Sequence, residues 1–195
     1  MLPAIFLKEI QMESSTILDR DQIFQGHAFN LEKVHLRLPD GRDRYYDLVD
    51  HVDAVTILPL DDDGMVSFVR QFRVGAEKEL LELPAGVMDQ GEDPLTTARR
   101  ELREETGSDA ANLERLGGFY MAAGYSSEYM HVFLATGLSD APLSQDEDEF
   151  LSLEKIDLRE VFDLIRTGKI EDGKTISTFF YAMPFLNELL IAADI

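Results

Sequence analysis

The chain has 195 residues, 45% of them hydrophobic, which is enough for one well-buried core. Its formal net charge of -20 argues against a nucleic acid partner, because contacts to a phosphate backbone need clustered Lys and Arg. With no Cys, the chain can form no disulfide or thiolate zinc site, which suits a reducing cytoplasm. It shows no secretory leader and no apolar run near the ~18 residues of a membrane span, so we expect a soluble cytoplasmic protein.

From the N-terminus, apolar residues alternate with polar ones as in β-strands. Residues 35–38 and 45–49 flank a Pro-Asp-Gly turn, which predicts a hairpin. Residues 54–60 and 65–72 flank an Asp-rich turn at residues 61–64 that ends in Gly. This pattern predicts a second hairpin, made of two central strands.

A helix with clear ends follows these strands. Asp93 suits an N-cap, and Pro94 suits the first helical position, where its missing N–H would have had no partner anyway. Gly107 suits a left-handed C-terminal cap. The sequence therefore predicts a helix over residues 94–106.

This helix carries a strip of acids beside its apolar stripe. At about 100° per residue, Glu101 and Glu105 are neighbours at the edge that meets the sheet, and Glu104 lies further round. Crowded carboxylates repel one another, and hard cations such as Mg²⁺ bind carboxylate oxygens, so the strip is a candidate metal cradle. The alternative is a solvated face whose charges are compensated by the arginines of the same helix.

The rest of the chain predicts further strands and then helices. Residues 116–120 and 130–135 are expected to be strands joined by a loop at 124–128. Residues 157–165 have a helical apolar stripe, and a last helix is expected from about residue 174 towards 191, mostly as core packing. The whole order predicts a mixed α and β fold.

The spacing around the acidic helix resembles the Nudix box. The resemblance is carried by Gly86, Glu92 and residues 100–107, which read Arg-Glu-Leu-Arg-Glu-Glu-Thr-Gly. Every specified position matches except the last, where Ser108 replaces the usual aliphatic residue. A match of this length at fixed spacing is specific, and the departure leaves the acids intact.

The resemblance implies an α/β (α+β) fold, an α/β/α sandwich around a mixed β-sheet, and bound Mg²⁺ or Mn²⁺. It implies metal ligands at the Ala85 carbonyl and at Glu101, Glu104, Glu105 and Glu149. Glu104 and Glu105 would thereby also be catalytic.

The same resemblance implies structural roles for other residues of the box, which would hold the loop to the helix or let the backbone pass close to the metal. These are Gly86, Glu92, Arg100 and Gly107. After the box, residues 146–149 resemble an acidic loop that supplies a water-activating carboxylate, which would make Glu147 the general base. A solvated acidic loop is the alternative.

Outside the box, the chain is similar to the ADP-ribose pyrophosphatase branch of the family. The similarity lies in residues 69–73 and in the Glu-Leu-Pro-Ala-Gly entry at residues 82–86. It implies substrate contacts from Arg70 and Arg73, although both arginines could simply end an exposed strand. A Lys174-Thr175 pair also recurs in this branch, without an assigned role.

One departure affects the substrate assignment. Where the branch has Ser-Pro-Gly after the box, this chain has Ala-Ala-Gly ending at Gly124, so the Pro is missing. Glu128 follows at the expected place. Gly124 and Glu128 are therefore expected to contact substrate.

The resemblance implies metal-dependent hydrolysis of the diphosphate bond of a nucleoside diphosphate derivative, with ADP-ribose cleaved to AMP and ribose 5-phosphate. The alternatives are another Nudix substrate, such as a GDP-sugar, a dinucleoside polyphosphate or NADH, a Nudix-fold sensor without catalysis, or an acidic interaction protein. Residues 51–195 would form the Nudix domain. Residues 1–50 would form an N-terminal antiparallel β extension that crosses onto a second subunit, so we expect a homodimer without nucleic acid or membrane partners.

Overall fold

The computed structural model describes residues 14–144 and 150–192. Within them, strands come first, then one helix, further strands and two final helices, as the sequence predicts. The strands are β1 Thr16–Gln25, β2 Asn30–Arg37, β3 Asp43–Asp50, β4 Ala54–Pro59, β5 Met65–Arg73, β6 Lys78–Glu82, β7 Ala85–Val87, β8 Ser108–Tyr120, β9 Tyr129–Asp140 and β10 Ser152–Asp157. The helices are α1 Pro94–Thr106, α2 Leu158–Arg166 and α3 Gly173–Ala192.

The chain divides into two compact units. The first contains the described residues up to 51 together with residues 124–126, and its sheet has the antiparallel order β1-β2-β3. The predicted hairpin at residues 35–49 is confirmed, since β2 pairs antiparallel with β3. The backbone N–H of Val49 donates to the Tyr125 carbonyl at 2.7 Å, which attaches the separate segment to this sheet.

The second unit contains the predicted α/β/α sandwich around a mixed sheet. This sheet has the order β7-β4-β9-β8, with β4 parallel to β9 and the other pairs antiparallel. All residues of β4 are buried, and they alternate between two cores. Val55 and Ile57 pack with Leu102 of α1, whereas Leu58 packs with Phe179 of α3. The sheet therefore lies between α1 and α3.

The predicted second hairpin forms only at its turn and its first pair, an antiparallel bridge between Leu60 and Val66. The Asp61 side chain accepts the backbone N–H groups of Asp63 and Met65 at 3.1 and 2.9 Å, and Gly64 has a φ of 78°. However, β5 leaves for a second sheet of order β10-β5-β6. On one edge β4 pairs with β9 along its full length, and on the other its first three residues pair with β7, so the pairing with β5 does not extend beyond Leu60.

The ends of α1 are as predicted. The Asp93 side chain accepts the N–H groups of Leu95 and Thr96 at 3.0 and 3.1 Å, and Gly107 caps the other end with a φ of 72°. The cap sets where the helix begins, and therefore which of its residues meet the sheet. No helix in the described part of the chain is long and apolar enough to cross a membrane.

Candidate active site

Two glutamates of α1 lie against consecutive residues of β7. Glu105 is 4% exposed, and its Oε2 accepts the backbone N–H of Ala85 at 3.0 Å. Glu101 is 7% exposed, and its carboxylate lies directly against Gly86. Because Ala85 and Gly86 are adjacent in the chain, the two carboxylates are brought to the same strand, as the helical spacing predicts.

Gly86 is required by this close approach rather than by its backbone conformation. A Cβ placed on Gly86 would lie 2.0 Å from both Cδ and Oε1 of Glu101 and 2.4 Å from Oε2. Such distances are far below van der Waals contact. Any side chain at position 86 would therefore displace the Glu101 carboxylate.

Arg100 connects the acidic strip to the loop before α1. Its guanidinium donates to both oxygens of Glu92 at 3.1 and 3.0 Å, to Glu101 at 2.6 Å and to Glu104 at 3.0 Å. It also donates to the Val87 carbonyl at 3.1 Å. The Arg100 hydrogen bonds stabilise the charged form of Glu92 and lower the pKa of this carboxyl to about 2. The same ion pairs raise the pKa of Arg100.

The other arginines of α1 make their described contacts away from the acidic strip. Arg99 donates to the Asp109 carboxylate and to the Ala110 carbonyl, and Arg103 donates to the Ala141 carbonyl at 2.9 Å. Among the described contacts of these three arginines, those of Arg100 are the ones that reach the glutamates of the strip, as the alternative interpretation requires.

The donor chemistry of the strip fits a hard divalent cation, since it consists of carboxylate oxygens beside backbone carbonyls. Within residues 14–144 and 150–192, however, no three Asp, Glu or His side chains already converge as a metal cluster. In the described contacts, Arg100 donates to Glu101 and Glu104, while Glu105 accepts the Ala85 N–H. A cation would therefore compete with Arg100 for two of these carboxylates.

Arg70 and Arg73, both predicted to contact substrate, point to opposite faces of β5. Arg73 donates to Glu82 through Nε at 2.9 and 3.1 Å and through Nη2 at 2.7 Å, and these bonds raise its pKa, with a smaller effect of Glu105. Arg70 instead donates to Glu154 at 2.6 Å. Residues three apart on a strand face opposite ways, so only Arg73 is on the side of Glu105.

The remaining residues predicted to bind substrate or metal do not belong to one described group. Gly124 belongs to the first unit, whereas Glu128 belongs to the second, where its carbonyl accepts the Met121 N–H at 3.1 Å. Glu147 and Glu149 lie outside the described residues.

Sequence reasoning missed a cluster of buried charges beside Arg73. Glu82 is 1% exposed and Lys174 is 7% exposed, and Lys174 contacts both Glu82 and Asp172. The sequence feature that could have indicated this cluster is a Lys in the first turn of a largely apolar helix, where a cation is unfavourable for the helix dipole.

Comparison with known proteins agrees with this geometry. The NUDIX domain model matches residues 50–179, which include β7 and α1. The chain is similar to the ADP-ribose pyrophosphatase of Bacillus subtilis (strain 168), at 37% identity over 177 residues that cover 90% of this chain and 93% of the relative. It is also similar to a methanol dehydrogenase activator of Bacillus methanolicus, at 36% identity over 163 residues, 83% of this chain and 88% of the relative.

A solved structure shows the same fold. The crystal structure of an ADP compounds hydrolase matches with a TM-score of 0.81 and 29% sequence identity, over 91% of this chain and 97% of the other. The box residues, the sandwich that positions them and these matches agree, and the chain belongs to the Nudix family.

Proposed function

We propose that this protein hydrolyses the diphosphate bond of ADP-ribose to AMP and ribose 5-phosphate, with Mg²⁺ or Mn²⁺ as the cation. The observation that carries the proposal is the pair of buried carboxylates, Glu101 and Glu105, held side by side against β7. Nudix hydrolases generally depend on a divalent cation. The names of the relatives support an ADP-containing substrate.

In this proposal the ligands are the Ala85 carbonyl and the carboxylates of Glu101, Glu104 and Glu105. A bound divalent ion would neutralise diphosphate charge, lower the pKa of a water and stabilise the leaving phosphate. The chain itself keeps the carboxylates in place: the Ala85 N–H orients Glu105, and Gly86 leaves room for Glu101.

Roles for residues beyond these ligands are proposed from the family resemblance. Glu147 would take a proton from the attacking water, and Glu149 would complete the metal ligands. Arg73 would bind substrate phosphate, and Gly124 and Glu128 would contact the rest of the substrate. Arg70, on the other face of β5, would need to reach a different part of the substrate.

The substrate is tested with a panel of diphosphate compounds. ADP-ribose, GDP-mannose, diadenosine tetraphosphate and NADH are incubated with Mg²⁺ or Mn²⁺, and the products are identified by chromatography. We expect ADP-ribose to give AMP and ribose 5-phosphate with the highest kcat/KM. GMP from GDP-mannose without AMP from ADP-ribose would contradict the substrate, and no turnover of any compound would favour a sensor.

We also propose that the protein is a homodimer formed through its N-terminal sheet. Strand β1 is exposed along its full length, and the first unit exposes large apolar and aromatic side chains. They are Ile17, Leu18, Ile23, Phe24, Phe29, Tyr45 and Tyr46. Sedimentation equilibrium is expected to give twice the 22.1 kDa chain mass at micromolar concentration, whereas a monomer would refute the proposal.

A cytoplasmic location is proposed on chemical grounds. The chain contains no Cys and so gains nothing from an oxidising compartment. Cell fractionation should recover it with cytoplasmic markers, and recovery with an exported fraction would contradict this proposal.

A further inference from the structure

Four charged side chains form a compact group next to the candidate active site. We call it the Glu82 cluster, and it consists of Arg73, Glu82, Asp172 and Lys174. Arg73 Nη2 donates to Glu82 Oε2 at 2.7 Å, Lys174 Nζ donates to the same oxygen, and Lys174 donates to Asp172 at 3.0 Å. Two positive and two negative charges thus lie in one connected network.

The position of Lys174 is not explained by the stability of its own helix. Lys174 lies in the first turn of α3, where the helix dipole favours anions and disfavours cations. Asp172 supplies the favourable capping interaction, since its carboxylate accepts the Thr175 N–H at 2.9 Å. A buried ammonium at this place needs anionic partners, and Glu82 is the buried one.

The start of α3 is also bonded to the segment that leads to the candidate metal ligands. The Leu83 N–H donates to Thr175 Oγ1 at 2.8 Å, and this hydroxyl donates to Asp172 at 2.6 Å. Two residues later, the Ala85 N–H donates to Glu105. The side chain of Glu82 and the backbone of the following loop are therefore positioned by the same turn of α3.

Glu82 occupies one edge of the Arg73 guanidinium. The bonds from Arg73 use Nε and Nη2, which leaves the Nη1 donors for another partner, and the side chain is 40% exposed. A guanidinium that is hydrogen-bonded along one edge presents its remaining donors in a defined direction, and this arrangement is suited to binding a phosphate. Because Lys174 shares the charge of Glu82, Arg73 is not the only cation that neutralises this carboxylate.

We propose that Lys174 is a positioning residue for substrate binding. Through Glu82, it orients the Arg73 guanidinium and leaves part of its positive charge available for the substrate diphosphate. This inference rests on the proposed function, in which Arg73 binds phosphate. In this proposal Lys174 contacts Glu82 and Asp172 rather than substrate or metal, so its removal should act mainly on KM.

The test compares Lys174→Met with Lys78→Met in steady-state kinetics. Lys78 pairs with Glu171 on the surface and so joins the same two segments, but it has no described contact with Glu82. Lys174→Met is expected to raise KM about tenfold, the size of one coupling within an ion-pair network, with little change in kcat or in the metal concentration for half-maximal rate. Lys78→Met should leave KM unchanged, and Lys174→Arg should restore most of the affinity.

A double-mutant cycle separates positioning from a general loss of structure. Arg73→Met alone should raise KM, and adding Lys174→Met should raise it no further, because Lys174 acts through Arg73. An equal effect of Lys174→Met with and without Arg73 would overturn the inference, as would an unchanged KM in the single variant. If Lys174→Met does not fold, Lys174→Met combined with Glu82→Gln removes the buried charge as well and should show the same KM defect.

The assignment of ADP-ribose as substrate and the positioning role of Lys174 are contradicted by different results. The variants are measured on whichever panel compound the wild type cleaves best, so a substrate other than ADP-ribose overturns the proposed substrate and still tests Lys174. If the wild type cleaves none, its affinity for inorganic pyrophosphate is measured by calorimetry with Mg²⁺. A Lys174→Met variant that binds pyrophosphate as tightly as Lys78→Met would then refute the positioning role.

Discussion

Glu105→Gln is expected to lower kcat for ADP-ribose by two to three orders of magnitude, about the loss seen when one preorganised electrostatic contact is removed. The amide can still accept the Ala85 N–H, so the contact to β7 is kept while the negative charge is lost. The fold should therefore persist, and the metal concentration for half-maximal rate should rise. Steady-state kinetics across a Mg²⁺ titration, together with circular dichroism, measures both effects.

One variant is a control for Glu105→Gln, and a second tests the proposed general base. Glu114→Gln removes one negative charge from an exposed position of β8 and should leave turnover unchanged. Glu147→Gln, at the proposed general base, should lower kcat while metal affinity is kept. Near-normal turnover of Glu105→Gln would refute its role as a metal ligand, and an unchanged kcat in Glu147→Gln would assign the base to another residue.

Gly86→Ala is expected to be as damaging as the loss of a ligand, with turnover reduced by roughly two orders of magnitude or more. The added methyl group would lie 2.0 Å from the Glu101 carboxylate, so either this side chain or strand β7 must move. Glu101 would then no longer lie beside Glu105. Kinetics and thermal melting of the purified variant test this expectation.

Gly75→Ala is the matched substitution for Gly86→Ala. A Cβ on Gly75 meets no atom within 4 Å, and this glycine has no positive φ, so the variant should retain both activity and melting temperature. If Gly86→Ala behaves like Gly75→Ala, the close approach of Glu101 to β7 is not needed for catalysis.

The local features of the active-site helix follow from short-range chemistry and were predictable. The Asp93 cap, the Pro94 start and the Gly107 end each depend on residues within one turn, and the structure confirms all three. That Glu101 and Glu105 lie next to each other likewise follows from helical spacing. The pairing of β4 and β5 was predicted wrongly, because alternation shows that a strand is buried but not which strand lies at its edge.

The sequence by itself determined the family, the acidic helix and the mixed order of strands and helices, because these are encoded in contiguous residues at fixed spacing. Only the tertiary structure decided which carboxylates Arg70 and Arg73 meet, and that Lys174 meets a carboxylate 92 residues earlier in the chain. Such contacts depend on how two sheets and α3 come together. The burial of a charge, and therefore its need for a partner, is decided by that packing and leaves only a weak trace in the local sequence.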